Sequence, residues 1–461
     1  MRAPADNVRA STATLRFLLP TFVPRLRPAV WRTWPAFAGL LLATVLSPPS
    51  AWAAREEAPR RGQAARALPA APAVAAAAPP VAKAAPRPLV VDGDAEARLI
   101  AIYKLIGDGE SARALADAEK LTADYPNFQL GQLVYGDLLA QRIRIVRALG
   151  DLPDHDAAQA ASLAALRHES DLRLKALRER PPAGAVPAQF VQLSSSSRHA
   201  IAIDTSRARL YLFENTDSGL KLLADYYISV GKSGIEKSAE GDMRTPLGVY
   251  YITSNLDPRT LKPFYGAGAL PINYPNPYDL RQGKTGGGIW LHGTPADQFS
   301  RAPLATDGCV VIANPDLRRI LGTVAVRSTP VVIAERLLWV PPQAARAAGK
   351  SFEDAFESWR AAKSAGDMGA LMPFYAPDFN SYGKSLDAWR GVVQQDILRA
   401  QGRPVRAKDL SLLRWQHDTI ETMVVTFGEV PEGARTGPVR RQYWMRTPHG
   451  PWQIFFEGTI G

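Results

Sequence analysis

Cys309 is the sole cysteine among 461 residues, and His292 precedes it by a short span. Together a thiol and an imidazole can carry nucleophilic acyl chemistry. A free thiol, with a pKa of about 8.5, is mostly protonated at neutral pH, whereas the thiolate is the nucleophile. A histidine within hydrogen-bond reach takes that proton and is expected to hold the thiolate as an ion pair. It then returns the proton to a leaving amine as general acid. With no second cysteine, Cys309 has no disulfide partner in its own chain. The plainer alternative is a small apolar core residue, since free cysteine packs like one.

Four segments surround the pair. They are Gly241-Asp242-Met243-Arg244-Thr245-Pro246-Leu247-Gly248-Val249-Tyr250, Leu270-Pro271-Ile272-Asn273-Tyr274-Pro275-Asn276-Pro277-Tyr278-Asp279, Thr285-Gly286-Gly287-Gly288-Ile289-Trp290-Leu291-His292-Gly293-Thr294, and Ala305-Thr306-Asp307-Gly308-Cys309-Val310-Val311-Ile312-Ala313-Asn314. In order and spacing this set resembles the YkuD-like L,D-transpeptidases, cysteine enzymes that remodel bacterial peptidoglycan. The resemblance implies that the Gly293 carbonyl fixes the tautomer of His292. Glycine at 308 lets the backbone pass close to substrate, so the amides of Gly308 and Cys309 are candidate oxyanion donors. The catalytic set expected is therefore Cys309, His292, Gly293 and Gly308. Many members of that family carry Ser-His-Gly-Cys followed by a polar or basic residue. Here Thr306-Asp307-Gly308-Cys309 runs into Val310-Val311, so the substrate contacts of the usual histidine and polar residue do not carry over.

A stem peptide carries several carboxylates, which basic side chains recognise. Arg244, Lys284 and Arg281 are the candidates, with Tyr274 and Trp290 as walls of the cleft and Asp307 beside the nucleophile. Asp307 also fits as a turn-former next to glycine. The other histidines, His155, His168, His199, His417 and His449, are expected at solvated positions. No metal site and no cofactor are expected, because His292, Cys309 and Asp307 are too few ligands.

These residues need elements to position them. Between Pro181 and Val340 apolar residues alternate, as in Ala200–Asp204 and Ala208–Phe213, which predicts a mostly-β catalytic domain over 190–338. Residues 94–185 carry helical spacing, with Leu99, Ile102, Tyr103 and Ile106 first and then a break at Gly107-Asp108-Gly109. The following pair, Gly107 to Tyr135, resembles one helix-turn-helix of a tetratricopeptide repeat; one copy makes no solenoid, so a helical platform is expected. After Pro341-Pro342, read as a linker, residues 350–461 run helices first and strands after. That order resembles an α+β nuclear-transport-factor-like cone. The expected architecture is thus a multidomain chain: a helical domain, a mostly-β L,D-transpeptidase catalytic domain and an α+β cone.

The N-terminus holds six arginines against one acid, then an apolar run Ala36–Leu46 and Ala51-Trp52-Ala53, the order of a secretory signal peptide over 1–53. The run is short for a membrane span, which needs about 20 apolar residues, so an uncleaved anchor is the lesser alternative. Residues 54–93, rich in alanine and proline, read as a disordered linker. The net charge of +11 falls to about +6 without the first 53 residues, a basic excess suited to an anionic polymer. No basic run is interleaved with aromatics, so nucleic acid is not expected as a partner.

The resemblance implies an exported, periplasmic enzyme acting on the L,D bond of peptidoglycan stem tetrapeptides. Cys309 would attack the carbonyl of the diaminopimelate-type residue and expel D-Ala. Resolution of the acyl-enzyme by an amine makes a transpeptidase, and resolution by water an L,D-carboxypeptidase. The Leu270–Asn276 stretch also resembles a branch that releases wall-bound lipoproteins by amidase action, so a wall-attached lipoprotein is a second candidate partner. Membrane contact is expected only through the signal sequence, and the flanking domains leave a homodimer open. A non-enzymatic wall-binding scaffold is the alternative of another class; the intact His292/Cys309 pair counts against it.

Overall fold

Helical spacing in the first hundred residues of folded chain becomes four helices in a computed structural model, which describes residues 91–151 and 156–460. The expected signal sequence, most of the linker and His155 lie outside those residues. Helices Asp94–Gly107, Ser111–Asp124 and Gln129–Ala140 pack in succession, with Leu99, Ile102, Ala118, Leu121 and Val134 facing inward. The fourth, Ala157–Arg178, starts at a reciprocal cap in which Asp156 accepts from the Gln159 amide and Gln159 accepts from the Asp156 amide. Phe299 and Ala313 of the β unit complete this helical core.

The β unit is a mixed ten-stranded sheet. Its main path runs Gly248–Tyr251, Pro330–Ala334, His199–Asp204, Arg209–Thr216, Gly219–Gly231, Val310–Ile312, Trp290–His292, Ala269–Pro271. Strands Val91–Asp92 and Leu304–Thr306 both add to Gly219–Gly231. Val91–Asp92, expected in the linker, thus belongs to the sheet. Alternating side chains such as Ile201, Ile203, Leu210 and Leu212 form the core under one face. A buried charge cluster joins the helices to this sheet: Arg209 bonds Asp225 (2.5 Å) and Glu96 (2.6 Å), and Arg173 bonds Glu96 (3.3 Å) and Glu169 (2.7 Å). Removing one member of such a cluster leaves an uncompensated buried charge and costs about 3–5 kcal/mol.

The C-terminal sheet is antiparallel, in the order Gln453–Ile460, Val439–Arg446, Ile420–Pro431, Val405–His417, Phe190–Gln192. Its edge strand Phe190–Gln192 was expected to open the catalytic domain; it pairs instead with the C-terminal sheet. Helices Pro342–Ala365 and Leu386–Ala400 cover one face through Phe352, Phe356, Trp359, Trp389 and Val393. Pro341-Pro342 is no linker: Pro342 is the first residue of the longer helix, where its fixed φ and missing N–H are tolerated. His199 also departs from expectation, lying buried at 9 % exposure on a sheet strand, whereas His168, His417 and His449 are exposed.

Candidate active site

His292 ends strand Trp290–His292, and Cys309 immediately precedes the neighbouring strand Val310–Ile312. Val310–Ile312 and Trp290–His292 run parallel, with Val310 opposite Leu291 and Val311 opposite His292. Cys309 is two residues before Val311, so it and His292 share a face, because side chains on a strand alternate. Carried one residue back, the same register sets Cys309 opposite Trp290, whose amide donates toward the thiol.

His292 is buried, at 1 % exposure, and its Nδ1 lies 2.7 Å from the Gly293 carbonyl. Nδ1 therefore carries the proton and donates to that carbonyl, leaving Nε2 as the acceptor. The turn that holds Gly293 is crowded: a Cβ there would meet Asn314 Oδ1 at 2.1 Å. Asn314, the first residue of helix Asn314–Thr323, accepts from the amides of Ala267 (2.8 Å) and Thr294 (3.3 Å) and donates to the Thr294 carbonyl (2.8 Å). Tyr265 and Phe264 flank the imidazole, with ring centroids at 5.0 and 5.7 Å.

Burial pushes the His292 pKa down to about 4; the Gly293 carbonyl opposes this and the charge of Arg301 adds to it. Burial likewise pushes the half-buried Cys309 thiol up, against the Trp290 amide and the charges of Arg301 and Lys237, and with Asp307. The resting pair at neutral pH is thus neutral thiol and neutral imidazole. The ion pair expected from the sequence is not the resting state, because desolvation penalises both charges.

The loop before Cys309 is built by two threonines. Thr245 Oγ1 accepts from the Gly231 amide and donates to the Gly308 carbonyl, both at 2.9 Å. Thr306 Oγ1 donates to the Cys309 carbonyl (2.7 Å) and accepts from the Gly308 amide (3.1 Å). That last bond corrects an expectation: the Gly308 amide is occupied, and only the Cys309 amide stays a candidate oxyanion donor. Gly308 is glycine for another reason, its φ of +120° and a Cβ position 2.7 Å from the Arg244 carbonyl. Asp242 ties the facing loop, accepting from the amides of Ala239, Ser238 and Arg244 and from Lys237. Burial opposes its ionisation, but these donors prevail and hold its carboxyl well below the usual range.

Of the expected substrate contacts, Trp290 stands half-buried beside the nucleophile and packs on Tyr265 at 4.8 Å. Arg244 is exposed, adjacent to Gly308, with its guanidinium on the Ile235 carbonyl (2.9 Å). Asp307 is exposed and paired with Lys232 at 2.9 Å. Tyr274 is a core residue whose hydroxyl donates to the Thr285 carbonyl (3.2 Å), and Lys284 pairs with buried Asp279 (3.1 Å). Arg281 pairs with Asp378 of the C-terminal unit. Arg301, Phe264, Thr245, Thr306 and Asn314 were given no role from the sequence; Thr245, Thr306 and Asn314 carried a signal, by lying inside the quoted segments, and Arg301 and Phe264 carried none. A cleft of about 640 Å³ between Tyr274, Arg281, Tyr382 and Arg441 is lined by neither Cys309 nor His292. Among the described residues no cluster of acids, histidines and cysteine could hold a metal, and no helix is long and apolar enough to cross a membrane.

Residues 198–333 match the family of L,D-transpeptidase catalytic domains, YkuD. This segment contains Cys309 and His292, and it supports a peptidoglycan-modifying function. Among solved structures, the chain is similar to Bd1075 of Bdellovibrio bacteriovorus, with 24% identity and a TM-score of 0.50, covering 60% of this chain and 98% of that one. It is also similar to the helical cell shape determining protein Pgp2 of Campylobacter jejuni, with 22% identity and a TM-score of 0.45 over 56% of this chain and 91% of that one. The likeness to Bd1075 is one of fold. No curated protein matches the chain.

Proposed function

We propose that the chain is a periplasmic peptidoglycan L,D-transpeptidase that works through an acyl-enzyme on Cys309. The observation that carries this reading is the shared face of Cys309 and His292 with Nδ1 tied to Gly293. In the proposed cycle, Nε2 of His292 takes the thiol proton as the sulfur adds to the carbonyl carbon of the L,D bond. The Cys309 amide faces the developing oxyanion. The tetrahedral adduct collapses, the C–N bond breaks, and His292 gives its proton to the departing D-amino acid. A thioester remains. An incoming amine, deprotonated by His292, forms a new amide and frees the thiol; water in its place yields a shortened stem and makes the same enzyme an L,D-carboxypeptidase.

We read residues 350–461 as a nuclear-transport-factor-like cone that positions the polymer, and residues 1–53 as the export signal. The test is a muropeptide profile of purified wall digested with the protein. Crosslinked products or tripeptide stems are expected from the natural chain and none from Cys309→Ala. Product formed equally by both proteins would sink the reading.

A further inference from the structure

Arg301 stands beside the catalytic pair with no partner for its charge. Among the described residues its guanidinium enters no ion pair and no hydrogen bond; it lies over the face of Phe264, 4.4 Å from the ring centroid. The other arginines considered are engaged, Arg244 on the Ile235 carbonyl and Arg281 on Asp378. Phe264 is itself 46 % exposed and packs against the His292 ring, so one aromatic ring separates the cation from the imidazole.

The segment is not a loose surface loop. Phe299 is held between Tyr125 and Phe128, and its amide donates to the Asn127 carbonyl (3.1 Å). Ser300 Oγ bonds Glu169 at 2.9 Å. The Arg301 carbonyl accepts from the Tyr227 hydroxyl (2.9 Å), that of Ala302 from Ser229 Oγ (2.5 Å), and that of Pro303 from the Val230 amide (2.9 Å). Five consecutive residues are thus anchored, and a half-buried, unpaired guanidinium is presented at the reaction centre. Burial penalises its charge, which the facing Cys309 and Asp307 only partly offset.

Building on the function proposed above, we infer that Arg301 binds the free α-carboxylate of the residue that leaves the donor stem. In a stem ending in D-Ala, one carbon separates that carboxylate from the scissile nitrogen. The group protonated by His292 and the group held by Arg301 then belong to one amino acid. A guanidinium takes a carboxylate through two parallel hydrogen bonds, which fixes orientation as well as affinity. The bound carboxylate also offsets the charge that disfavours a proton on His292, so the correct donor eases its own proton transfer. When the C–N bond breaks, the amine takes the proton from His292 and the D-amino acid departs with its carboxylate still charged. The site is therefore exo-acting, and it discriminates against internal or amidated bonds.

The test uses the full chain and two synthetic tetrapeptide stems, one ending in D-Ala and one in its carboxamide. The natural protein is expected to cleave the acid with kcat/KM about 100-fold above the amide, the scale of a lost charge-assisted contact in a built site. Arg301→Gln should erase the preference, bringing acid and amide to the same level, with most of the acid's loss in KM. Arg301→Lys should restore part of the preference. Equal cleavage of acid and amide by the natural protein, or a preference that survives in Arg301→Gln, overturns the inference and leaves the proposed function standing. Cleavage of neither peptide, with Cys309 still alkylated by iodoacetamide, overturns the proposed function and the inference together.

Discussion

Burial around His292 and Cys309 drives both groups toward their uncharged forms, so the proton moves during the attack and not before it. That has a kinetic signature. His292 must be neutral to accept the thiol proton, and its pKa lies at about 4, below the ordinary imidazole value near 6.5. As pH falls, kcat/KM for the donor stem should therefore hold through the ordinary imidazole range and drop only as pH passes through about 4. An acid limb centred between pH 6 and 7 would mean that His292 keeps its ordinary pKa and that burial does not depress it. His292→Ala should lose reaction with a carbapenem at neutral pH and regain part of it only in alkali, above the usual thiol range, because burial raises the Cys309 pKa. Intact-mass kinetics of the adduct measure both effects. The identities of these two residues were legible from type and order alone. Their protonation was not, since desolvation depends on packing that no local pattern records, and Arg301 comes from a segment with no motif of its own.

At the scale of elements, the nucleophile owes its place to a crosslink between loops. Thr245 is fully buried and bridges the end of strand Gly219–Gly231 to the Gly308 carbonyl. Thr245→Val keeps the shape and removes both bonds, leaving a buried amide and carbonyl without that partner, at a cost of about 1–3 kcal/mol each. Thermal denaturation should show a lowered Tm, and acylation of Cys309 should slow by about tenfold or more, because a small misplacement of a reacting atom is costly. Unchanged acylation with a lowered Tm would make Thr245 a purely structural residue. Long periodic elements were readable in advance: helices Asp94–Gly107 and Ser111–Asp124 follow their apolar spacing and the Gly109 break. The three-residue strand Phe190–Gln192 was not, since so short a run does not say which sheet it joins. Pro341-Pro342 misled for a related reason, as proline punctuates chains and also starts helices.

At the scale of the whole molecule, the flanking units complete the catalytic one. The N-terminal helices grip the segment that carries Arg301 through Asn127, Glu169 and the rings around Phe299. On the other side, one apolar core is shared: Ala200, Ala202, Tyr211, Phe213, Val249, Tyr251 and Val332 of the β unit pack with Leu413, Val424, Tyr443 and Phe455 of the C-terminal sheet. Arg441 adds a guanidinium stacked 3.2 Å above the Tyr251 ring. A cut at Val340, which the sequence suggests as a domain end, would leave strand Phe190–Gln192 without its partner and bare the inner face of this core. Uncovering several large side chains at about 1.5–3 kcal/mol each would remove most of a typical stability of 5–15 kcal/mol. A chain ended after Val340 should therefore be insoluble or melt far below the full chain, although Cys309 and His292 are both retained. Circular dichroism melting and size-exclusion chromatography decide the matter. A monomeric, cooperatively melting fragment that still reacts with a carbapenem would show that the shared core is dispensable and that the C-terminal unit serves substrate alone.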